Sequence, residues 1–110
     1  MPAKTDYIVV FVTTSSTTEA SKIAKALVRE KLAACCNLLN NIRSIYTWKD
    51  KLCEENECLI IMKTQAKLFK KLAARIIRLH SYQVPEIIAI PVVAGSKPYL
   101  DWIRTTTSKS

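Results

Sequence analysis

Two long runs, Ala33 to Trp48 and Leu52 to Thr64, follow each other with only Lys49, Asp50 and Lys51 between them. Both alternate or are continuously apolar in the manner of strands, and the half from Leu59 to Met62 is entirely apolar. A polar break this short makes the two runs antiparallel neighbours, so they predict a hairpin, although the glycine that eases such a turn is absent. A long apolar ribbon is not stable alone, because unpaired edge groups beside exposed hydrophobic side chains template aggregation. The rest of the chain must supply sheet partners and cover.

The flanking segments are of the right kind. Tyr7 to Val12 is a continuous β-branched and aromatic run, the mark of a central strand. Ser16 stands three residues before Glu19, a capping-box spacing in which hydroxyl and carboxylate each satisfy a backbone N–H at a helix start. Ala20, Ile23, Ala24, Leu27 and Val28 then recur at three and four residues, with Lys22, Lys25 and Arg29 toward the other side. Thr64 is placed to cap a second helix with the stripe Leu68, Phe69, Leu72, Ile76 and Leu79, ending near His80. Glu86 to Val93 predicts a last strand, and Pro91, which cannot donate to a ladder, favours an edge position for it. Pro98 to Arg104 predicts a short terminal helix, and the tail from Thr105 to Ser110 predicts disorder.

The order β-α-β-β-α-β is an α+β, ferredoxin-like antiparallel sheet with two covering helices. That arrangement leaves the second face of the sheet bare, so oligomerisation through the hairpin is the economical solution. The 110 residues, 49% of them hydrophobic, fill one core and leave no material for a second domain. One glycine and four scattered prolines mark no linker, so residues 1–110 read as a single domain, ordered over about 6–104. Met1 to Asp6 is short and polar, and no run approaches the roughly 18 apolar residues a membrane span needs. These features predict a soluble, unprocessed protein, and four cysteines without a disulfide-like pattern place it in the reducing cytoplasm.

The cysteines also bear on metal chemistry. Side chains alternate across a strand, so Cys35 and Cys36 point to opposite faces, as do Cys53 and Cys58, and no four-thiolate site forms within one chain. A hairpin turning near Asp50 places Cys36 opposite Lys63 and Cys53 opposite Tyr46, about 30 Å apart along the ladder, which excludes a disulfide between them. The single histidine, His80, follows the second helix, where an imidazole can cap the last carbonyls or, alternatively, ligate a metal. No Ser-His-Asp or Cys-His spacing is present, so no enzyme activity is expected. The formal charge of +8 leaves an anionic partner open, and Lys67, Lys71, Arg75 and Arg78 form a basic stripe with Lys70 beside it. The strand order is also that of the RNA-recognition module, but its third strand has neither the glycine nor the stacking aromatics of that module. Nucleic-acid binding is therefore disfavoured, and the stripe reads as a solvated helix face.

Five blocks carry a family resemblance: Lys31 to Cys35 (KLAAC), Ile42 to Lys51 (IRSIYTWKDK), Lys63 with Thr64, His80 to Ile87 (HSYQVPEI) and Tyr99 to Ile103 (YLDWI). In this order they resemble the CutA family, the divalent-cation-tolerance proteins, over about residues 6–104. The resemblance implies a ferredoxin-like homotrimer in which hairpin strands pair across subunits and a cleft forms at each interface. It implies a part in the response to divalent metals, copper above all, with no cofactor required and no reaction. Weak Cu²⁺ or Zn²⁺ binding through His80 is the metal expectation. Cys35, Tyr46, Trp48, Lys63, Tyr82 and Glu86 are the intersubunit cleft candidates. The same residues also make sense as packing, with Lys63 paired to Glu86. Several positions depart from the common pattern: Asn40 and Asn41 for Pro-Gly, Thr47 for an aromatic, Asp50 for a hairpin glycine, Ser81 for a proline and Gln83 for a glutamate. The first strand reads Phe11, Val12, Thr13, Thr14, without the cysteine proposed to bind copper in some members, which lowers the expected copper affinity. An alternative with the same architecture is a PII-like trimeric small-ligand sensor, against which the short connection after Trp48 counts.

Overall fold

The computed structural model describes residues 5–108. The elements are β1 (Tyr7–Thr14), α1 (Thr17–Arg29), β2 (Cys35–Trp48), β3 (Lys51–Gln65), a 3-10 turn (Ala66–Leu68), α2 (Phe69–Leu79), β4 (Ile87–Pro91) and α3 (Lys97–Thr107). All strands pair antiparallel in one sheet of order β2-β3-β1-β4. The split βαβ arrangement and the edge position of β4, with Pro91 at its end, are as the sequence predicts.

One sheet face is formed by Ile8, Val10 and Val12 of β1 with Cys58, Ile60 and Met62 of β3, and it packs on Ala20, Ile23 and Leu27 of α1 and Leu72 and Ile76 of α2. These residues alternate along the strands and recur at three and four along the helices, so one pattern of burial satisfies both periods. Truncating Leu27, which is fully buried, to alanine removes about 2–5 kcal/mol by lost transfer energy and cavity formation. The second face is not wholly bare. Ile103 of α3 packs with Tyr7 and Ala34, and Val92 and Leu100 lie against them. Leu39, Ile88 and Ile90 remain 43%, 55% and 48% exposed.

Several local expectations are corrected. Thr64 does not cap α2: it belongs to β3 and its hydroxyl donates to the Leu32 carbonyl at 2.7 Å, while α2 starts without a side-chain cap. Thr105 to Thr107 are not a disordered tail but the last turn of α3, because the Thr107 hydroxyl donates to the Ile103 carbonyl and accepts from Gln65 Nε2, each at 2.8 Å. Residues 109–110 of the expected tail, and residues 1–4 of the polar start, lie outside the described residues. The last strand is shorter than Glu86 to Val93.

The capping box is half made. The Glu19 N–H donates to Ser16 Oγ at 3.1 Å, but the Glu19 carboxylate turns away to accept from the Ser81 N–H at 2.7 Å. Thus the residue that starts α1 also ties down the segment that follows α2.

The hairpin register changes once. Cys35 faces Lys63 and Leu39 faces Leu59, but Ile42 faces Glu57 and Tyr46 faces Cys53. Asn40 and Asn41 together oppose Cys58 as a β-bulge, and Asn41 takes the left-handed φ of 59° that such an insertion needs. The expected pairing of Cys36 with Lys63 is therefore displaced by one residue, whereas that of Cys53 with Tyr46 holds. The turn is a two-residue one: Trp48 pairs with Lys51, and Lys49 and Asp50 have φ of 52° and 63°. This is the mirror-image turn that glycine or asparagine normally fills, formed here by lysine and aspartate.

Candidate functional site

The bulge decides where the site lies. Side chains two apart on a strand share a face, and one inserted residue transfers everything beyond it to the other face. Beyond Asn41, Ile42, Ser44, Tyr46 and Trp48 therefore share a face with Glu55 and Glu57 of β3. Without the insertion Arg43 would stand there. Arg43 instead pairs with Glu54 on the opposite side.

The segment 81–86 crosses this ribbon and closes an open pocket of about 780 Å³. Tyr46 and Trp48 form one wall, and Tyr82, Gln83 and Val84 form another, with Thr13 at the end of β1 between them. The segment has no regular secondary structure and is held by three polar anchors. Glu19 accepts from the Ser81 N–H, His80 Nδ1 accepts from the Tyr82 N–H at 3.0 Å, and the Tyr82 hydroxyl donates to Glu57 Oε2 at 2.6 Å. Glu57 is only 7% exposed.

The charges of the pocket run against those of the chain. Glu55, Glu57 and Glu86 line it, three of the nine acidic residues, and no basic residue does among the described residues. The Tyr46 hydroxyl donates to Glu55, which pushes the phenol up to about 12. Burial, followed by the bond to Glu57, raises the Tyr82 phenol as well. Both remain protonated donors at neutral pH, so they add no charge. Burial works to raise the Glu19 carboxyl, but the Ser81 bonds and the neighbouring His80 outweigh it and hold it below its ordinary value.

His80 ends α2 and its side chain is fully buried. Its Nε2 lies 2.7 Å from the Thr13 carbonyl oxygen, which can only accept, so the network assigns the proton to Nε2 and leaves the Nδ1 lone pair to the Tyr82 N–H. Glu19 Oε2 stands 3.6 Å from Nδ1. Both ring nitrogens are thus engaged within the chain.

Of the six cleft candidates, the structure brings together Tyr46, Trp48, Tyr82 and Glu86. Cys35 and Lys63 face each other at the other end of the ladder, where Lys63 Nζ donates to Asn37 Oδ1. Lys63 therefore does not pair with Glu86, because the strand carries it away from segment 81–86. Glu55 and Glu57 were not among the candidates. Counting back from the Trp48–Lys51 turn brings Glu55 opposite Ser44, beside Tyr46, and so would have found them.

The thiols form no ligand set. All four cysteines are free, and burial, helped by Cys35 alongside, pushes the Cys36 thiol up to about 12, far from the thiolate a metal requires. Among the described residues no three His, Cys, Asp or Glu side chains come together as a metal site. One chain alone therefore does not fit a preformed metal centre. No helix among the described residues is long and apolar enough to cross a membrane.

Comparison with known proteins places this geometry in a family. The profile described as CutA1 divalent ion tolerance protein matches residues 8–106. The divalent-cation tolerance protein CutA of Thermus thermophilus is 46% identical over 99 residues, 90% of this chain and 96% of that protein. The human protein CutA is 45% identical over 97 residues, 88% of this chain but 54% of its own length, so the chain spans about half of that relative. A Thermus thermophilus CutA1 structure superposes with a TM-score of 0.91 at 45% identity, covering 93% of this chain and 99% of the other. A structure from Archaeoglobus fulgidus gives 0.91 at 37% identity, with coverage of 93% and 99%, and is described as a periplasmic divalent cation tolerance protein. That description overturns the cytoplasmic placement expected from the free thiols. Thiols separated along a ladder stay unpaired for geometric reasons in any compartment, so they do not report one. With its profile matched over residues 8–106 and its fold shared with solved members, the chain belongs to the CutA1 divalent ion tolerance protein family.

Proposed function

We propose that the chain acts in divalent-cation tolerance as a homotrimer that binds Cu²⁺ or Zn²⁺ weakly at the acidic pocket. The observation that carries this reading is the charge of the pocket: three carboxylates and, among the described residues, no basic side chain, in a chain of net charge +8. Such a local field concentrates cations against the long-range repulsion of the whole molecule. Weak binding follows from the ligand set. Carboxylate oxygens hold Cu²⁺ and Zn²⁺ less firmly than imidazole or thiolate, and His80 becomes a nitrogen ligand only when Nδ1 releases the Tyr82 N–H. A neighbouring subunit supplies further groups, for which the apolar face around Leu39, Ile88 and Ile90 provides the contact.

Calorimetry with Cu²⁺ and with Zn²⁺ on the wild type, Glu57→Gln and His80→Gln tests the site. Each substitution should weaken binding several-fold, and binding unchanged in both variants would refute it. Light scattering at micromolar concentration tests the assembly separately, and a monomer would overturn it without bearing on the pocket chemistry.

A further inference from the structure

A second concavity, of about 820 Å³, opens on the helix side of the molecule. Lys67 of the 3-10 turn and Lys71, Arg75 and Arg78 of α2 form one bank, and Glu30 and Lys31 form the other where α1 ends. Leu32, Leu68 and Ala74 lie between them as an apolar floor. Lys67, Lys71, Arg75 and Arg78 are spaced by four, four and three, which puts them on one face of the continuous helical run, and no acidic residue occurs from Gln65 to His80.

Only Glu30 answers this charge, and it is already spent. Arg75 Nε lies 2.9 Å from Glu30 Oε1 and another guanidinium nitrogen 2.9 Å from Oε2. This fork holds the Glu30 carboxyl below its ordinary value. Lys31, Lys67, Lys71 and Arg78 make no ion pair among the described residues. Four uncompensated cations therefore surround one groove whose rim is braced by the Glu30–Arg75 pair. Lys31 contributes to this despite a left-handed φ of 60°, a conformation at which glycine ordinarily closes a helix.

We propose that this groove binds a compact anion carrying several phosphates, of the tripolyphosphate or nucleoside triphosphate class. Lysine ammonium groups serve as point charges for phosphate oxygens, and the free Arg78 guanidinium offers a two-pronged contact. Lys67 to Arg78 spans about 16 Å along the helix axis, enough for a short phosphate chain. No aromatic side chain lines the groove to stack successive bases, which favours a small ligand over an RNA strand. The groove shares no residue with the acidic pocket, so the two assignments stand or fall separately.

Calorimetry with inorganic tripolyphosphate, ATP and inorganic phosphate, in magnesium-free buffer at about 50 mM and about 200 mM salt, tests the assignment. Three proteins are compared: the wild type, Lys71→Gln/Arg78→Gln, and a control, Lys22→Gln/Lys25→Gln, that removes the same charge from α1. Circular dichroism confirms that both variants keep their helices. Tripolyphosphate should bind the wild type and the control alike and the groove variant at least about tenfold more weakly, with affinity falling as salt rises. ATP binding tighter than tripolyphosphate assigns the floor to a nucleobase, and equal binding assigns the groove to the phosphates alone; either result supports the site. No binding at low salt, equal weakening in both variants, inorganic phosphate as tight as tripolyphosphate, or a single-stranded RNA oligonucleotide that outcompetes tripolyphosphate would each overturn it.

Discussion

Replacing His80 by alanine should destabilise the protein by about 3–5 kcal/mol, far more than the loss of a surface residue. The imidazole is fully buried and links two elements distant in sequence, the end of β1 through the Thr13 carbonyl at 2.7 Å and the segment after α2 through the Tyr82 N–H at 3.0 Å. Each bond contributes about 1 kcal/mol net, but the truncation also strands the buried Thr13 carbonyl, at about 1–3 kcal/mol, and the partly buried Tyr82 amide, at about 1 kcal/mol. It further removes the ring that lies 4.7 Å from the Tyr82 ring and leaves a void beside it. Urea denaturation at a fixed protomer concentration measures the effect, since assembly makes apparent stability depend on concentration. His80→Gln retains an amide able to satisfy one of the two partners, so it should lose about half as much. A loss below about 1 kcal/mol for His80→Ala, with unchanged slope, would refute the assignment of both ring nitrogens to internal bonds.

Two further predictions concern the devices that position the pocket. The Glu19 carboxyl is lower in the folded chain than in the unfolded one, so its contribution is present above its ordinary value and fades as pH falls through the lowered folded value. Glu19→Gln should therefore flatten the acid limb of a stability-against-pH curve, and an unchanged limb would discount the bond to Ser81. In the turn, Lys49→Asn with Asp50→Gly supplies residues suited to φ of 52° and 63° and should raise stability by about 1 kcal/mol in thermal unfolding; no gain would mean that the strands, not the turn, set the register.

How much of this was legible beforehand depends on the range of the forces involved. The alternation of Ile8, Val10 and Val12 and the helical spacing of Ile23, Leu27, Leu72 and Ile76 are local records of burial, and they specify the sheet and its two covering helices. Thr64 and Thr107 show the limit of such reading. A threonine before a helical stripe resembles a cap, and one in a polar tail resembles disorder. In the fold each hydroxyl finds a partner elsewhere, Leu32 for Thr64 and Gln65 for Thr107, and the local propensity is overridden.

The pocket depended most on tertiary structure. The candidates Tyr46, Trp48, Tyr82 and Glu86 came from resemblance to a family, whereas Glu55 and Glu57, two of the three glutamates that give the pocket its charge, follow from the ladder. A single inserted residue at Asn40–Asn41 turns Tyr46 and Trp48 toward Glu55 and Glu57, and the same ladder carries Lys63 and Cys35 to the far end. The sequence alone determined the long hairpin, the order of elements and the need for cover on both sheet faces, because hydrophobic periodicity is written residue by residue. Tertiary structure decided which charges meet, because that depends on one bulge and on where segment 81–86 is tied down, contacts between residues up to 67 positions apart.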